Sequence, residues 1–296
     1  MEFLTQLIVA GLMSGAVYGL MAVGIILVYK SSGIFNFAHT AIVVMGAFVF
    51  WALITQLHLP FWLAVVLLLI WSLILGFLIQ RLALRPLIGQ PILAAIMATL
   101  ALAEILNGIV TLIWPGLGRV YQPAFMPTGV IRAGNLVTIS INQLASFVVC
   151  LVAFGIFTYF FQRTRIGLAM RATAEDQQLA RSFGIKVERV LAISWVIAII
   201  TAAIGGILTA CLYGVNPIVS EVAIYAFPAV IFGGLESITG GVIGGLALGV
   251  LQNIGAGYLD PFVGGGLKEL APYIILLLVL IFKPYGLFGY ERIERI

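Results

Sequence analysis

Apolar runs of about twenty residues recur along the whole chain, and no other feature restricts its fold as strongly. A membrane core ~30 Å thick is crossed by about 20 helical residues. Backbone polar groups in hydrocarbon must bond internally, so an apolar run of this length is a helix. The runs lie at 4–29, 39–55, 61–80, 91–113, 142–161, 190–213, 218–233, 238–256 and 269–282. The sequence therefore predicts an all-α, polytopic membrane protein with about 8–9 transmembrane helices.

The composition excludes several classes of protein. Hydrophobic residues make up 62% of the 296 residues and charged residues only 9%, against roughly 25% charged in soluble domains. Too few charges remain to cover a soluble surface, which excludes a soluble enzyme, a secreted disulfide scaffold and a nucleic-acid binder. The two cysteines, Cys150 and Cys211, lie inside apolar runs, so we expect neither a disulfide framework nor a metal site. We also expect no cofactor.

The second half of the chain contains helices that are short or broken. The run 218–233 follows Pro217 and contains Pro228, and the run 269–282 is also shorter than a full crossing. The run 218–233 could cross the membrane or turn back as a re-entrant hairpin. We favour a crossing, because it keeps the basic residues of the C-terminal tail on the basic side of the membrane.

The basic residues predict the orientation of the chain, because cytoplasmic loops are enriched in lysine and arginine. Alternation of the runs places 12 of the 15 basic residues on one side and 3 on the other. The smaller group contains Arg119, Arg132 and Lys268. We therefore expect the N-terminus outside the cell and the C-terminus in the cytoplasm. The larger group consists of Lys30, Arg81, Arg85, Arg163, Arg165, Arg171, Arg181, Lys186, Arg189, Lys283, Arg292 and Arg295.

Two glycine ladders indicate close helix packing. Gly11, Gly15 and Gly19 recur every four residues in the first run. A second ladder, in the run 238–256, is formed by Gly241, Gly245 and Gly249. Small residues at this spacing let helix backbones approach closely in lipid. The ladders indicate either packing within one subunit, which we favour, or an interface between subunits.

The longest polar stretch, 163–189, is expected to form a cytoplasmic loop with a short helix at 172–183. Thr173 and Asp176 fit a capping box loosely, and Gly184 provides a stop signal. Leu179, Ala180 and Phe183 are expected to share an apolar face. This face must contact lipid headgroups, the core of the same chain or another protein.

Several segments resemble one family of transporters. In the polar loop, Arg171-Ala172, Glu175-Asp176, Ala180 and Gly184-Ile185 resemble the loop by which permeases of ABC importers dock on their ATPases. Three more segments resemble the branched-chain amino-acid branch of these permeases, and with them the resemblance covers nearly the whole chain. Thr40 departs from the pattern, where a glycine is common. The three segments are 33–39 (GIFNFAH), 233–241 (GGLESITGG) and 283–289 (KPYGLFG).

The resemblance implies a permease subunit with a single transmembrane domain, 1–296, that contains a coupling loop at 163–189. It would be the shorter of two homologous permeases, which together form the path for branched-chain or related amino acids in a bacterial inner membrane. The implied partners are that second permease, two ATP-binding cassette subunits and a periplasmic or tethered substrate-binding protein. The chain has no Walker A motif, so we expect no enzymatic activity of its own. The implied ATPase-coupling residues are Arg171, Ala172, Glu175, Asp176, Leu179, Ala180, Phe183 and Gly184.

Polar residues inside membrane spans are candidates for the translocation path. Glu104 lies in the middle of the run 91–113 and shares a helical face with Met97, Ala101, Asn107 and Thr111. A carboxylate there is costly in lipid, so it should serve either helix contacts or substrate passage. Asn36 and His39 flank the loop before the second run. The sequence leaves two roles open for them, capping of a helix and gating of the path.

A self-contained channel or secondary carrier for small polar solutes is the main alternative. Two observations support it: the broken run 218–233, and a 198-residue shift that aligns 85–87 (RPL) with 283–285 (KPY), as in a repeat. The helical cytoplasmic loop argues against it, because a channel that works alone does not require one.

Overall fold

The structure is a computed structural model that describes residues 2–87, 90–116, 118–133, 137–216 and 218–289. Pro217, Arg292 and Arg295, which the sequence analysis used, lie outside the described residues. The helices are α1 Glu2–Ser32, α2 His39–Trp51, α3 Phe61–Leu78, α4 Ile92–Ile113, α5 Ile141–Arg163, α6 Arg165–Glu175, α7 Gln177–Ser182, α8 Val187–Tyr213, α9 Ile218–Ile224, α10 Ala226–Gly233, α11 Ile238–Val263 and α12 Leu267–Phe282.

Within the described residues, seven helical stretches are long and apolar enough to cross a membrane. Two of them include π-helical extensions, Ala52–Gln56 after α2 and Ile79–Leu84 after α3. The apolar stretch Ile218–Gly233 is shorter and is interrupted between α9 and α10, and α12 has only 16 residues. The prediction of a polytopic helical protein with short or broken helices in its second half is confirmed.

The predicted end of the eighth apolar run, at residue 256, is wrong, because α11 continues to Val263. The sequence analysis ended the run at a cluster of glycines and a proline, which are typical of connections. In the structure Gly257 is a packing position: a Cβ on it would lie 2.5 Å from Cδ1 of Leu7 in α1. The missing side chain therefore makes room for a neighbouring helix instead of ending its own.

A short β-hairpin between α4 and α5 was not predicted from the sequence. Strands β1 Val130–Ala133 and β2 Val137–Ser140 pair antiparallel, with Val130 opposite Ser140. The side-chain amide of Gln6 donates to the Thr138 carbonyl at 2.9 Å and accepts from the Thr138 N–H at 2.8 Å. Gln6 thus completes the hydrogen bonds of β2 as a neighbouring strand would and fixes the hairpin to the start of α1.

The chain divides into two compact units, one of Met1–Ile26, Met126–Leu151 and Ile224–Ile296, the other of Leu27–Phe125 and Val152–Ala223. In the first unit, the glycine ladders of α1 and α11 pack against each other. A Cβ on Gly245 would lie 2.5 Å from the Cα of Gly19, and one on Gly11 would lie 2.5 Å from the Cα of Val250. The favoured interpretation, close packing within one subunit, is confirmed.

In the second unit, α8 packs against α2 and α3, and the buried side of α4 contacts α2. Close backbone approach joins α2 and α8, because a Cβ on Gly46 would lie 2.7 Å from the Cα of Ala203. The loop after α4 is fixed to α2 by Tyr121, whose hydroxyl donates to the Ala47 carbonyl at 3.2 Å. Burial raises the pKa of Tyr121 well above its ordinary value.

Candidate functional site

The polar loop begins with a tight turn that closes the end of α5. The Thr164 hydroxyl donates to the Phe160 carbonyl at 2.6 Å and accepts from the Gly167 N–H at 3.0 Å. The Arg171 guanidinium donates to the Phe161 carbonyl at 2.7 Å. The Phe160 carbonyl also accepts from the Thr164 N–H at 3.2 Å, whereas the Phe161 carbonyl lies in the last turn of α5, where helical donors run out. Arg171, implied as a coupling residue, therefore binds its own chain and anchors α6 to α5.

The loop contains two helices where the sequence predicted one at 172–183. Asp176 separates them: its carboxylate accepts from the Gln178 and Leu179 N–H groups at 2.7 and 2.9 Å and so caps α7. Thr173, predicted as the cap, is buried in α6 and donates to the Ala169 carbonyl at 2.8 Å. The predicted capping box is wrong, because the extended Asp176 offers a better N-cap than a threonine inside a helix.

Gly184 ends α7 as predicted. It adopts a φ of +80°, and the Ile185 N–H donates back to the Ala180 carbonyl at 3.1 Å. This bond closes a helix end in which a glycine takes the left-handed conformation. Ile185 packs beside Ala180, which supplies the hydrophobic contact that accompanies such an ending.

The three apolar residues of the loop helix do not share one environment. Ala180 is only 3% exposed and packs against Val187 and Leu191 at the start of α8. Leu179 and Phe183 are 56% and 78% exposed. Residues four apart on a helix, such as Leu179 and Phe183, lie on the same face. Ala180 follows Leu179 directly and points about 100° away from that face. The expectation that Ala180 contacts a partner together with them is therefore wrong.

The other implied coupling residues divide in the same way. Glu175, Asp176 and Gly184 are exposed, whereas Ala172 is half-buried. We call the exposed pair Leu179 and Phe183 the loop surface. It presents two large apolar side chains outside the packed chain.

Glu104 lies on the exposed side of α4. Its helix buries the opposite stripe, which consists of Ala95, Thr99, Ala103, Leu106 and Val110. In the described part of the chain Glu104 makes no ion pair and no hydrogen bond. The predicted polar face is thus intact and uncovered: Met97, Ala101, Glu104, Asn107 and Thr111 are all exposed.

Asn36 and His39 are fully buried, although both flank a connection between two helices. The N-cap of α2 is Ala38, which makes no side-chain cap, and His39 is the first residue of that helix. The Asn36 side-chain amide has no hydrogen-bond partner among the described residues. The capping role considered for Asn36 is therefore wrong. Its gating role stays a prediction.

Among the residues that the structure describes, no three His, Cys, Asp or Glu side chains are grouped to hold a metal ion.

The sequence contains no sign of one contact of the loop, in which the Gln177 side-chain amide donates to the Ser31 carbonyl at 3.1 Å. Contacts between segments so distant in sequence leave no local signal.

Comparison with known proteins identifies the family. Residues 7–282 match the family model described as "Branched-chain amino acid transport system / permease component". The permease protein BraD of Pseudomonas aeruginosa, of a high-affinity branched-chain amino acid transport system, is 34% identical over 98% of this chain and 97% of its own. The LivH permeases of Salmonella typhimurium and Escherichia coli K12 are 31% and 30% identical, each over 97% of this chain and 96% of their own.

The solved structure of PsaBC from Streptococcus pneumoniae in complex with Fab shares 14% identity and a TM-score of 0.49 over 94% of this chain and 92% of its own. The family model and the three relatives each extend over almost the full length of the chain. The resemblance found in the separate sequence motifs is therefore confirmed along the chain as a whole. The chain belongs to the family of branched-chain amino acid transport permeases, together with the LivH proteins.

Proposed function

We propose that this chain is one of two permease subunits of an ABC importer for branched-chain or related amino acids. A second, homologous permease completes the path, two ATPase subunits bind on the cytoplasmic side, and a binding protein delivers the substrate from outside. The chain itself does no chemistry and provides the path and the contact surfaces. We place it in a bacterial inner membrane, with its N-terminus outside and its C-terminus in the cytoplasm.

The loop surface is the observation that carries this proposal. Leu179 and Phe183 are large, apolar and mostly exposed, whereas Ala180 anchors the same helix to α8. A helix that is fixed on one side and apolar on the other is suited to transmit force from a partner to the membrane helices. A channel that works alone has no use for such a surface. The charge distribution supports a cytoplasmic position, because the loop carries six basic residues in 163–189.

The exposed polar face of α4 supports a path shared with a second permease. A carboxylate facing lipid near the middle of a span is unfavourable, and charged residues in spans generally face a cavity or a partner. Glu104 has neither an ion pair nor a hydrogen bond among the described residues, which leaves its carboxylate available to a second permease or to a polar solute. We assign Glu104 and Asn107 to the path or to the contact with the second permease. We assign Asn36 and His39 to the control of this path.

Gentle detergent extraction of the tagged chain from its native membrane tests the proposal. Recovery of two ATPases and a second permease, identified by mass spectrometry, is the expected result. A chain that purifies alone and still transports solute in proteoliposomes would instead establish the channel or carrier. Amino-acid uptake that requires the purified binding protein and ATP would complete the assignment.

A further inference from the structure

We propose that the segment Gly33–His39 is the inner gate of this permease and that Gln177 links it to the coupling loop. The proposal rests on the proposed function. In this arrangement Gln177 is a positioning residue, which acts through the end of α1 and touches no substrate. All the contacts that carry the proposal lie within the second compact unit.

The first step from the loop to the gate is the attachment of the loop to α1. The Gln177 side-chain amide donates to the Ser31 carbonyl at 3.1 Å, although the two residues are 146 positions apart. Ser31 lies in the last turn of α1, where carbonyls have no helical donor. The Lys30 ammonium also lies 5.8 Å from the centre of the Phe161 ring, at the end of α5. The loop region therefore holds the end of α1 at two places.

The second step is the freedom of the chain just after this attachment. Gly33 has a φ of +71°, a conformation that side-chain-bearing residues rarely adopt. A Cβ on Gly33 would meet no atom within 4 Å, so no other group packs against this side of the backbone. At the other end of the segment, α2 begins without a side-chain cap. A movement of Ser31 can thus pass into the segment without breaking a helix.

The third step connects the segment to α4. The Thr99 hydroxyl donates at 2.9 Å to the Ile96 carbonyl of its own helix, and the Phe35 carbonyl lies 3.4 Å from the same hydroxyl as a second, weaker acceptor. The Phe35 ring also lies 6.4 Å, centre to centre, from the Tyr29 ring of α1 and 4.9 Å from the Phe37 ring. Thr99 is on the buried stripe of α4, one and a half turns before Glu104. The segment therefore bridges the end of α1 and the helix that carries the polar face.

The fourth step is the state of Asn36. Its side chain is fully buried, and neither its nitrogen nor its oxygen has a hydrogen-bond partner among the described residues. Burying an amide without partners disfavours this packing, because the unpaired groups lose their hydration. Any movement that brings Asn36 into contact with water or a polar solute removes that penalty. This penalty narrows the free-energy difference between the closed packing and a state in which Asn36 meets water or a polar solute, as a gate requires.

The test uses the complete transporter, co-purified with its ATPases, in proteoliposomes. Gln177→Leu removes the bond to Ser31, and Gln162→Leu, at an exposed position of α5, is the matched control. With Gln177→Leu we expect normal recovery of the ATPases but uptake per ATP hydrolysed that is lower by about two- to tenfold, the effect of losing one part-buried hydrogen bond. The control should retain the wild-type ratio of uptake to hydrolysis.

A second measurement follows the gate directly. Ala38→Cys is introduced after replacement of Cys150 and Cys211 by alanine, and its labelling by N-ethylmaleimide is timed with and without vanadate-trapped nucleotide. Ala38 is fully buried, so labelling requires opening of the segment. We expect the labelling rate to change about tenfold or more between the two states, as for a minor open population. Gln177→Leu should abolish this dependence on nucleotide.

Asn36→Leu separates a gate from a structural residue. It removes the unpaired amide, so we expect an unchanged or raised thermal midpoint together with uptake lowered about tenfold or more. An unchanged ratio of uptake to hydrolysis in Gln177→Leu, with labelling of Ala38→Cys that still depends on nucleotide, would overturn the link through Gln177. Labelling of Ala38→Cys that is independent of nucleotide in the otherwise wild-type transporter would overturn the gate and leave the proposed function intact. If no ATPase co-purifies with the wild-type chain, the proposed function itself fails.

Discussion

Gln252 replaces the hydrogen bond that Pro272 cannot make within its own helix. In α12 the Lys268 carbonyl would accept from the N–H of residue 272, but proline has none. The side-chain amide of Gln252, in α11, donates to that carbonyl at 2.6 Å. Both Gln252 and Pro272 are buried. A single hydrogen bond therefore joins α11 to α12 and satisfies the carbonyl that Pro272 leaves without a helical donor.

This relationship predicts a measurable coupling between the two residues. Gln252→Leu leaves the Lys268 carbonyl without this donor in a part-buried place, which should lower the stability of the chain by about 1 kcal/mol. Pro272→Ala restores a backbone N–H at residue 272, so Gln252→Leu should cost clearly less in that background. Thermal unfolding of the four purified variants in detergent measures the cycle. Strictly additive changes would show that Gln252 does not compensate for the proline.

The sequence predicts the membrane spans well because the signal is local. Each crossing requires about 20 consecutive apolar residues, and that property can be read without knowing any contact. The Gln252–Pro272 pair shows what is lost by this procedure, since neither residue indicates its partner. The hairpin of β1 and β2 was not predicted for the same reason, because the hydrogen bonds that complete it come from Gln6, near the start of the chain.

The candidate site is only partly predictable for a related reason. The apolar spacing of the loop helix identified Leu179, Ala180 and Phe183 as a group. It could not show that Ala180 packs on Val187 while the other two remain exposed. The end of the helix at Gly184 is predicted correctly, because a glycine in the left-handed conformation ends a helix through contacts within the last turn. Local chemistry is thus predictable, and the choice between core and surface is not.

The glycine contact between α1 and α11 predicts a second stability effect. Gly245→Val places a side chain where its Cβ would lie 2.5 Å from the Cα of Gly19, so the helices must separate. We expect a loss of about 1–3 kcal/mol or more, seen as a lower thermal midpoint. Gly155→Val in α5 is the control, since a Cβ there meets no atom within 4 Å. Equal effects of the two variants would contradict the packing argument.

The charge distribution predicts the topology of the loops. A cysteine at Ser182, which is exposed in α7, should react with a membrane-impermeant maleimide only from the cytoplasmic side. A cysteine at Gln122, exposed in the loop after α4, should react only from outside. Intact cells and inverted vesicles provide the two measurements, in a chain that lacks Cys150 and Cys211. Labelling of both positions from the same side would contradict the proposed orientation.

The loop surface predicts that two neighbouring residues fail in different ways. Phe183→Glu changes a side chain that is 78% exposed, so the chain should fold normally and lose ATPase binding by orders of magnitude. Ala180→Glu places a charge against Val187 and Leu191, so it should destabilise the chain itself. Co-purification of the ATPases and the thermal midpoint of the isolated chain distinguish the two effects.

Gln178→Glu is the control for the added charge, because this exposed residue lies beside the loop surface and not on it. It should bind the ATPases as the wild type does. Normal ATPase binding by Phe183→Glu would indicate that the loop surface meets lipid headgroups and not a protein.

The exposed polar face of α4 predicts the role of Glu104. Glu104→Leu should leave the fold of the isolated chain unchanged, because the carboxylate makes no ion pair or hydrogen bond in the described residues. A bond to a charged group contributes about 1.5–3 kcal/mol, so uptake or recovery of the second permease should fall about tenfold or more. Glu104→Gln keeps the size of the side chain and separates the need for charge from the need for a hydrogen bond.

Ile105→Leu, at the adjacent exposed position, is the matched control and should assemble and transport normally. If Glu104→Leu loses the second permease, the carboxylate lies in the contact between subunits. If assembly is normal and only uptake falls, it lies on the path. Normal assembly together with normal uptake would mean that the carboxylate tolerates lipid, and the assignment of α4 to the path or the contact would be wrong.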